Sequence, residues 1–222
     1  MENKVSSGSR ILDKFLAGGY EKGVVTTIYG PSGSGKTNLC LLPLIRMAGT
    51  GQKIIYVDTE GNFSVERTKQ ITQHYRKVLD QVIFFKPTSF TEQKKVFDQL
   101  KKLVSSKVGL IVVDTISMLY RLALGQTKEV YETNAALGSQ ISTLISLARK
   151  FDIAVLVANQ VYADFKERDK VNMVGGDLLK NGSKCLIELK SFKHGFREAI
   201  LKKHRSLPER VVRFKIIEKG IK

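Results

Sequence analysis

Eight consecutive residues, Gly30, Pro31, Ser32, Gly33, Ser34, Gly35, Lys36 and Thr37, match G-x-x-x-x-G-K-[ST] at every fixed position. Binding a triphosphate calls for these residue types in this order. Glycines let a loop turn successive backbone N–H groups toward one anion, and the dipole of a following helix adds to the field. The lysine supplies a point charge for the β- and γ-phosphates, and the Ser/Thr hydroxyl coordinates Mg²⁺. The expected ligand is ATP with Mg²⁺, cradled by Gly30–Thr37, with Lys36 on the phosphates and Thr37 on the metal. A chance glycine-rich turn would not also lie between a β-rich apolar run, Val24–Tyr29, and an amphipathic stretch, Lys36–Ala48.

Three further groups stand at the ends of apolar runs. Leu110–Asp114 closes on an acid, and a carboxylate at the carboxyl end of a buried parallel strand faces the ligand crevice, where Asp114 would hold Mg²⁺ through water. Asp58, Thr59, Glu60 and Gly61 follow Lys53–Asp58, and Glu60 is the candidate general base for an attacking water; a turn or helix-start acid is the plainer alternative. Asn159 and Gln160 follow Ile153–Ala158, where the Gln160 amide could contact the γ-phosphate and report its loss. What comes next, Val161–Asp177, carries Lys166, Arg168 and Lys170 with Tyr162 and Phe165. Asp164, Glu167, Asp169 and Asp177 nevertheless leave the segment at −1. A nucleic-acid loop and a flexible lid both fit it.

These residues need a scaffold, and the patterning supplies one. Val24–Tyr29, Lys53–Asp58, Val82–Phe85, Leu110–Asp114 and Ile153–Ala158 predict buried strands. Lys36–Ala48, Phe63–Leu79, Phe90–Ser105 and Tyr131–Lys150 predict the helices between them. That alternation implies an α/β fold, with a mostly parallel central sheet and helices on both faces. Cys185–Phe192, Glu198–Lys203 and Val211–Ile217 have no helix between them and predict antiparallel strands extending one edge. With no repeat or linker, residues 1–222 are expected to form a single domain.

The 222 residues include 37 Lys/Arg against 21 Asp/Glu, a net charge of +16. A field of that sign attracts polyanions and supports binding to nucleic acid by counterion release. A thermophile's surface ion-pair network would be nearly balanced in sign, and this chain is not. Residues 178–222 hold 13 Lys/Arg against 4 Glu, so +9 lies in the last fifth; Lys202, Lys203 and Arg205 are the densest cluster and candidate DNA contacts. Cys40 and Cys185 lack metal-ligand spacing, no apolar run could span a membrane, and Met1–Val5 has no secretory h-region. A cytoplasmic protein is expected.

The chain resembles the RecA/RadA recombinase family, most closely its short archaeal branch, over nearly its whole length. The resemblance rests on Ser7–Asp13 leading to Gly18 and Gly19, on Tyr56–Phe63 with Glu66 and Arg67, on Ile153–Val161, and on Lys193, Gly195, Arg197 and Leu207–Glu209. It implies a RecA-like P-loop NTPase core in which Glu60 is the catalytic carboxylate and Gln160 the nucleotide sensor. It puts a first DNA-binding loop near Arg121–Lys128 and a second after Gln160. About five residues precede the core, so the family's N-terminal helix-hairpin-helix domain and Phe-x-x-Ala polymerisation motif are expected to be absent. The implied function is an ATP- and DNA-binding accessory protein of recombination, weakly hydrolytic, preferring single-stranded DNA and acting with a RadA-type recombinase. A homo-oligomer, a core-only strand-exchange recombinase and a KaiC-like regulatory ATPase stay open as alternatives.

Overall fold

The computed structural model of the chain describes residues 3–126, 129–163 and 171–222. In chain order the elements are β1 (Lys4–Val5), α1 (Arg10–Phe15), β2 (Tyr20–Glu21), β3 (Val25–Tyr29), α2 (Lys36–Met47), β4 (Lys53–Asp58), α3 (Val65–Ile71), α4 (Tyr75–Leu79), β5 (Val82–Phe85), α5 (Phe90–Leu103), β6 (Val108–Asp114), α6 (Met118–Gln126), α7 (Val130–Phe151), β7 (Ala154–Asn159), β8 (Val161–Ala163), β9 (Val171–Met173), α8 (Gly176–Gly182), β10 (Cys185–Ser191), β11 (Phe196–Lys203), β12 (Arg210–Ile217) and β13 (Gly220–Ile221). Nine strands form one sheet in the order β13-β12-β11-β10-β3-β7-β6-β4-β5. The six from β10 to β5 are mutually parallel, and β11, β12 and β13 continue the sheet antiparallel.

Both faces of the central strands are buried, which is why they read as continuous apolar runs rather than alternating ones. Leu110 and Val112 pack with Leu39 and Leu44 of α2 on one face. Ile111 and Val113, one residue out of phase, pack with Leu100 of α5 and Leu144 of α7 on the other. Burying each such side chain contributes roughly 1.5–3 kcal/mol. Register then builds the site. Asp58 pairs with Asp114, Asp114 with Ala158, Tyr29 with Asn159, and Glu188 with Tyr29, so the carboxyl ends of β4, β6, β7, β3 and β10 form one row.

Four expectations need correction. The helix expected over Phe63–Leu79 is two helices. Ser64 caps α3 by accepting from the Arg67 N–H, and Thr72 is extended (φ −144°, ψ 135°), ending it. Arg121, expected in a loop, lies in α6. Leu119 and Tyr120 bury that helix, and Ala123 and Leu124 pack against the same core. The segment after Gln160 opens with β8 paired antiparallel to β9 and closes with α8. Finally, β10 is parallel to its neighbour β3, because α8 returns the chain across the sheet before it; only β11 onward is antiparallel.

Candidate functional site

Between β3 and α2 the chain makes a tight loop whose glycines are required by contact. A Cβ on Gly30 would stand 2.5 Å from the Leu189 carbonyl oxygen, and Gly35 takes φ 104° where a Cβ would meet Ile216 Cδ1 at 2.9 Å. Gly35 caps α2 without a side-chain hydrogen bond, leaving the first N–H groups of the helix for an anion. Lys36 is buried, and its Nζ donates to the Gly30 and Pro31 carbonyl oxygens at 2.9 Å each. Burial lowers its pKa, while Glu60 and Asp114 act in the opposite direction.

Asp114 is 1 % exposed. Its Oδ2 accepts from the Tyr56 hydroxyl at 2.8 Å, while Oδ1 has no hydrogen-bond partner among the described residues. Burial raises its pKa, Glu60 and Asp58 add to the rise, and the Thr37 and Tyr56 hydroxyls oppose it. The Thr37 hydroxyl thus favours the charged form without satisfying Oδ1. Buried carboxylate oxygens rarely stay orphaned. A hydrated Mg²⁺ between Thr37 and Asp114 fits this donor set, and the Ser34 hydroxyl, also buried without a partner among the described residues, lies in the same loop.

The end of β4 is anchored before Glu60 is reached. Asp58 accepts from the Asn62 and Phe63 N–H groups at 3.1 Å, and the Thr59 hydroxyl donates to the Thr115 carbonyl at 2.7 Å. On that anchored turn, Glu60 Oε1 accepts from the Thr115 hydroxyl at 2.8 Å and from the Gln160 amide at 2.6 Å. Its Oε2 accepts from the Asn62 amide at 2.7 Å. Glu60 and Gln160, 100 residues apart in sequence, are therefore in direct contact. Three donors occupy three of about four lone-pair sites, which leaves room for one water.

Ser32, Gly33, Gly35, Lys36, Thr37, Glu60, Asp114 and Gln160 line one cleft of about 560 Å³. Two arginines join them, and residue chemistry alone had not singled out either. Arg67 Nε donates to Asn38 Oδ1 at 2.9 Å and its Nη groups donate to the Ile217 and Glu218 carbonyls at 2.8 and 2.9 Å, tying α3 to α2 and the end of β12. Arg197 Nη1 donates to the Gly195 carbonyl at 2.9 Å, while its Nε is buried without a partner among the described residues. The only sequence signal for either was its place in a stretch resembling recombinases.

A family model described as Rad51 matches residues 3–222. The chain belongs to the Rad51 family. It is 42% identical to the DNA repair and recombination protein RadB of Methanocaldococcus jannaschii, over 95% of this chain and 98% of that one. To the protein of the same name from Methanococcoides burtonii it is 41% identical, over 94% and 92%. A crystal structure of the RadB recombinase superposes with a TM-score of 0.83 at 37% identity, covering 98% of both chains. The architecture is thus the expected α/β, RecA-like one, and the Rad51 family's ATPase core uses nucleotide and Mg²⁺ in general.

Four of the eight expected DNA contacts of this Rad51-family chain lie among the described residues, and these four do not gather in one place. Arg121 is exposed on α6. Lys128, Lys166, Arg168 and Lys170 lie outside the described residues. Lys202, Lys203 and Arg205 stand at the far end of β11 from the cleft, because β11 runs antiparallel to β10 and Lys203 pairs with Leu186. Each is engaged locally: Lys202 with Glu209 at 2.8 Å, Lys203 with the Lys180 carbonyl at 2.7 Å, and Arg205 with Glu21 at 2.8 Å. Among the described residues no helix is long and apolar enough to cross a membrane, and both cysteines are buried and free.

Proposed function

We propose that this chain is an ATP-binding, DNA-binding accessory protein of homologous recombination and repair, a single RecA-like ATPase domain that hydrolyses ATP weakly and assists a RadA-type recombinase in the cytosol. The observation that carries this reading is the 2.6 Å hydrogen bond from Gln160 to Glu60. It joins the cleft at the P-loop to the strand that leads directly into the segment after Gln160. The relatives named as DNA repair and recombination proteins support the process, and the +16 charge supports a polyanionic partner.

Bound Mg²⁺-ATP would supply the γ-phosphoryl group and the metal's positive charge. In this proposal Gly30 to Thr37 enclose the phosphates, and Lys36 gives up the Gly30 and Pro31 carbonyls for phosphate oxygens. Thr37 and Asp114 hold the hydrated metal. Glu60 orients and deprotonates the attacking water as general base. Gln160 senses the γ-phosphate by exchanging its contact with Glu60, and the change passes from β7 to β8, where the segment after Gln160 begins. Weak hydrolysis follows, because Thr115 and Asn62 still donate to Glu60 after Gln160 has turned to the phosphate and lower its basicity. Arg121, Lys128, Lys166, Arg168 and Lys170 would position single-stranded DNA, with Lys202, Lys203 and Arg205 adding charge.

The test is an equilibrium titration of ATP against the wild type and Lys36→Ala. Loss of a charge-assisted contact costs roughly 1.5–3 kcal/mol, so affinity should fall about tenfold or more. Unchanged binding by Lys36→Ala would remove the P-loop from the account.

A further inference from the structure

The outer face of β11 and β12 carries a group of residues that the cleft does not use. Cross-strand pairing sets Phe196 opposite Lys215, Glu198 opposite Arg213, and Ile200 opposite Val211, with Lys190 of β10 beside Glu198. Residues directly opposite, and those two apart along a strand, share a face. The alternate residues Ala199, Leu201 and Phe214 enter the core. Phe196 is 41% exposed, Val211 54%, and Phe192 in the preceding turn 45%.

Cations accompany the exposed rings. Lys215 Nζ lies 4.0 Å from the Phe196 ring centroid, and the Arg213 guanidinium 5.5 Å from that of Phe192. The face also holds carboxylates, but they lie beneath the cations. Glu198 and Glu188 side chains are each 11% exposed, whereas their partners Arg213 and Lys190 are 69% and 43% exposed. Each acid orients a cation, and the surface turned outward is positive. Exposed Lys193 extends it through the turn.

The position also matters. β10, β3 and β7 are parallel, so the turn after β10 leaves the same sheet edge as Gly30 and Gln160. Arg197, which lines the cleft, holds the Gly195 and Phe196 carbonyls through Nη1. Lys202, Lys203 and Arg205 are at the opposite edge.

We propose that this face is a stacking platform for single-stranded DNA, with Phe192 and Phe196 meeting bases and Lys193, Arg213 and Lys215 meeting phosphates. Proteins that bind single strands without sequence preference combine aromatic faces with a positive track in this way. Duplex DNA, with its bases already stacked, has nothing to offer the rings. The proposal rests on the DNA-binding reading above and gives it a location.

The chain contains no tryptophan, so Phe196→Trp introduces a single one at the platform, excited selectively at wavelengths where tyrosine does not absorb. The experiment titrates this variant, with Mg²⁺-ATP present, with an oligo(dT) and with an abasic oligomer of the same length. Stacking predicts quenching by oligo(dT) and none by the abasic strand. The double variant Phe192→Ala/Phe196→Ala should bind oligo(dT) about tenfold or more weakly and bind the abasic strand as the wild type does. The Trp signal decides the matter even if the double variant folds poorly. Binding of oligo(dT) without quenching overturns the platform and leaves the DNA-binding reading standing. So does a double variant that changes the chain's self-association but not its oligo(dT) affinity, which would make the face a contact between copies. A wild type that does not bind oligo(dT) overturns both.

Discussion

At the scale of single residues, Glu60 is defined by its neighbours. Thr115, Gln160 and Asn62 hold both carboxylate oxygens, so its position is set by three donors on two other segments as well as its own turn. Glu60→Gln keeps the size but turns one acceptor into a donor facing the donor groups of Thr115, Gln160 or Asn62. It should leave ATP affinity within a few-fold of wild type and lower turnover by roughly 10²–10⁴, the usual contribution of a general base. Single-turnover hydrolysis beside a binding titration measures both; turnover that survives the change would place the base elsewhere. The sequence announced Lys36, Asp114, Glu60 and Gln160 because each follows a recognisable apolar run, and strand ends are where ligands bind in parallel sheets. Thr115, Tyr56, Arg67 and Arg197 were not announced. Their contacts depend on which strands become neighbours, which local pattern does not encode.

At the scale of elements, β4 and β5 fall where the apolar runs predicted, residue for residue. β4 is buried apart from Lys53, and β5, half-buried at the sheet edge, is set off by Asp80 and Gln81 before it and Pro87 after it. The misplacements came where a local preference competed with the longer pattern. Thr72 and His74 are poor helix formers, and a break there lets Val78 of α4 reach the core behind β4. α6 was hidden by the expectation of a loop, although Leu119, Tyr120, Ala123 and Leu124 recur at helical spacing. α3 also has a tethering role through Arg67, which joins it to Asn38 and the carbonyls of Ile217 and Glu218. Arg67→Ala should destabilise the chain by about 1 kcal/mol, since these bonds are largely exposed, which lowers the melting temperature by roughly 2–4 °C. It should also loosen the cleft wall. Thermal melting with and without ATP would show a larger loss in the presence of nucleotide; equal losses would mean a purely structural tether.

At the scale of the molecule, one sheet carries two surfaces on its carboxyl edge. The P-loop cleft lies between β3 and β4, and β8 and the turn after β10 flank it. The register of β4, β6, β7, β3 and β10 brings the cleft and its flanks together. The excess of positive charge was plain in the composition, but its arrangement was not. The densest basic cluster turned out to be paired and remote from the cleft, whereas the aromatic residues beside it in sequence face solvent near the cleft. In the proposed function, nucleotide and DNA are coupled through Gln160. The direct measurement is the affinity for single-stranded DNA, with and without Mg²⁺-ATP, in wild type and Gln160→Ala. Wild type should bind more tightly with Mg²⁺-ATP, by about 5- to 150-fold if the coupling is of ordinary size, and Gln160→Ala should bind ATP yet lose that difference. A wild type indifferent to ATP, or a Gln160→Ala variant that keeps the full difference, would contradict the claim.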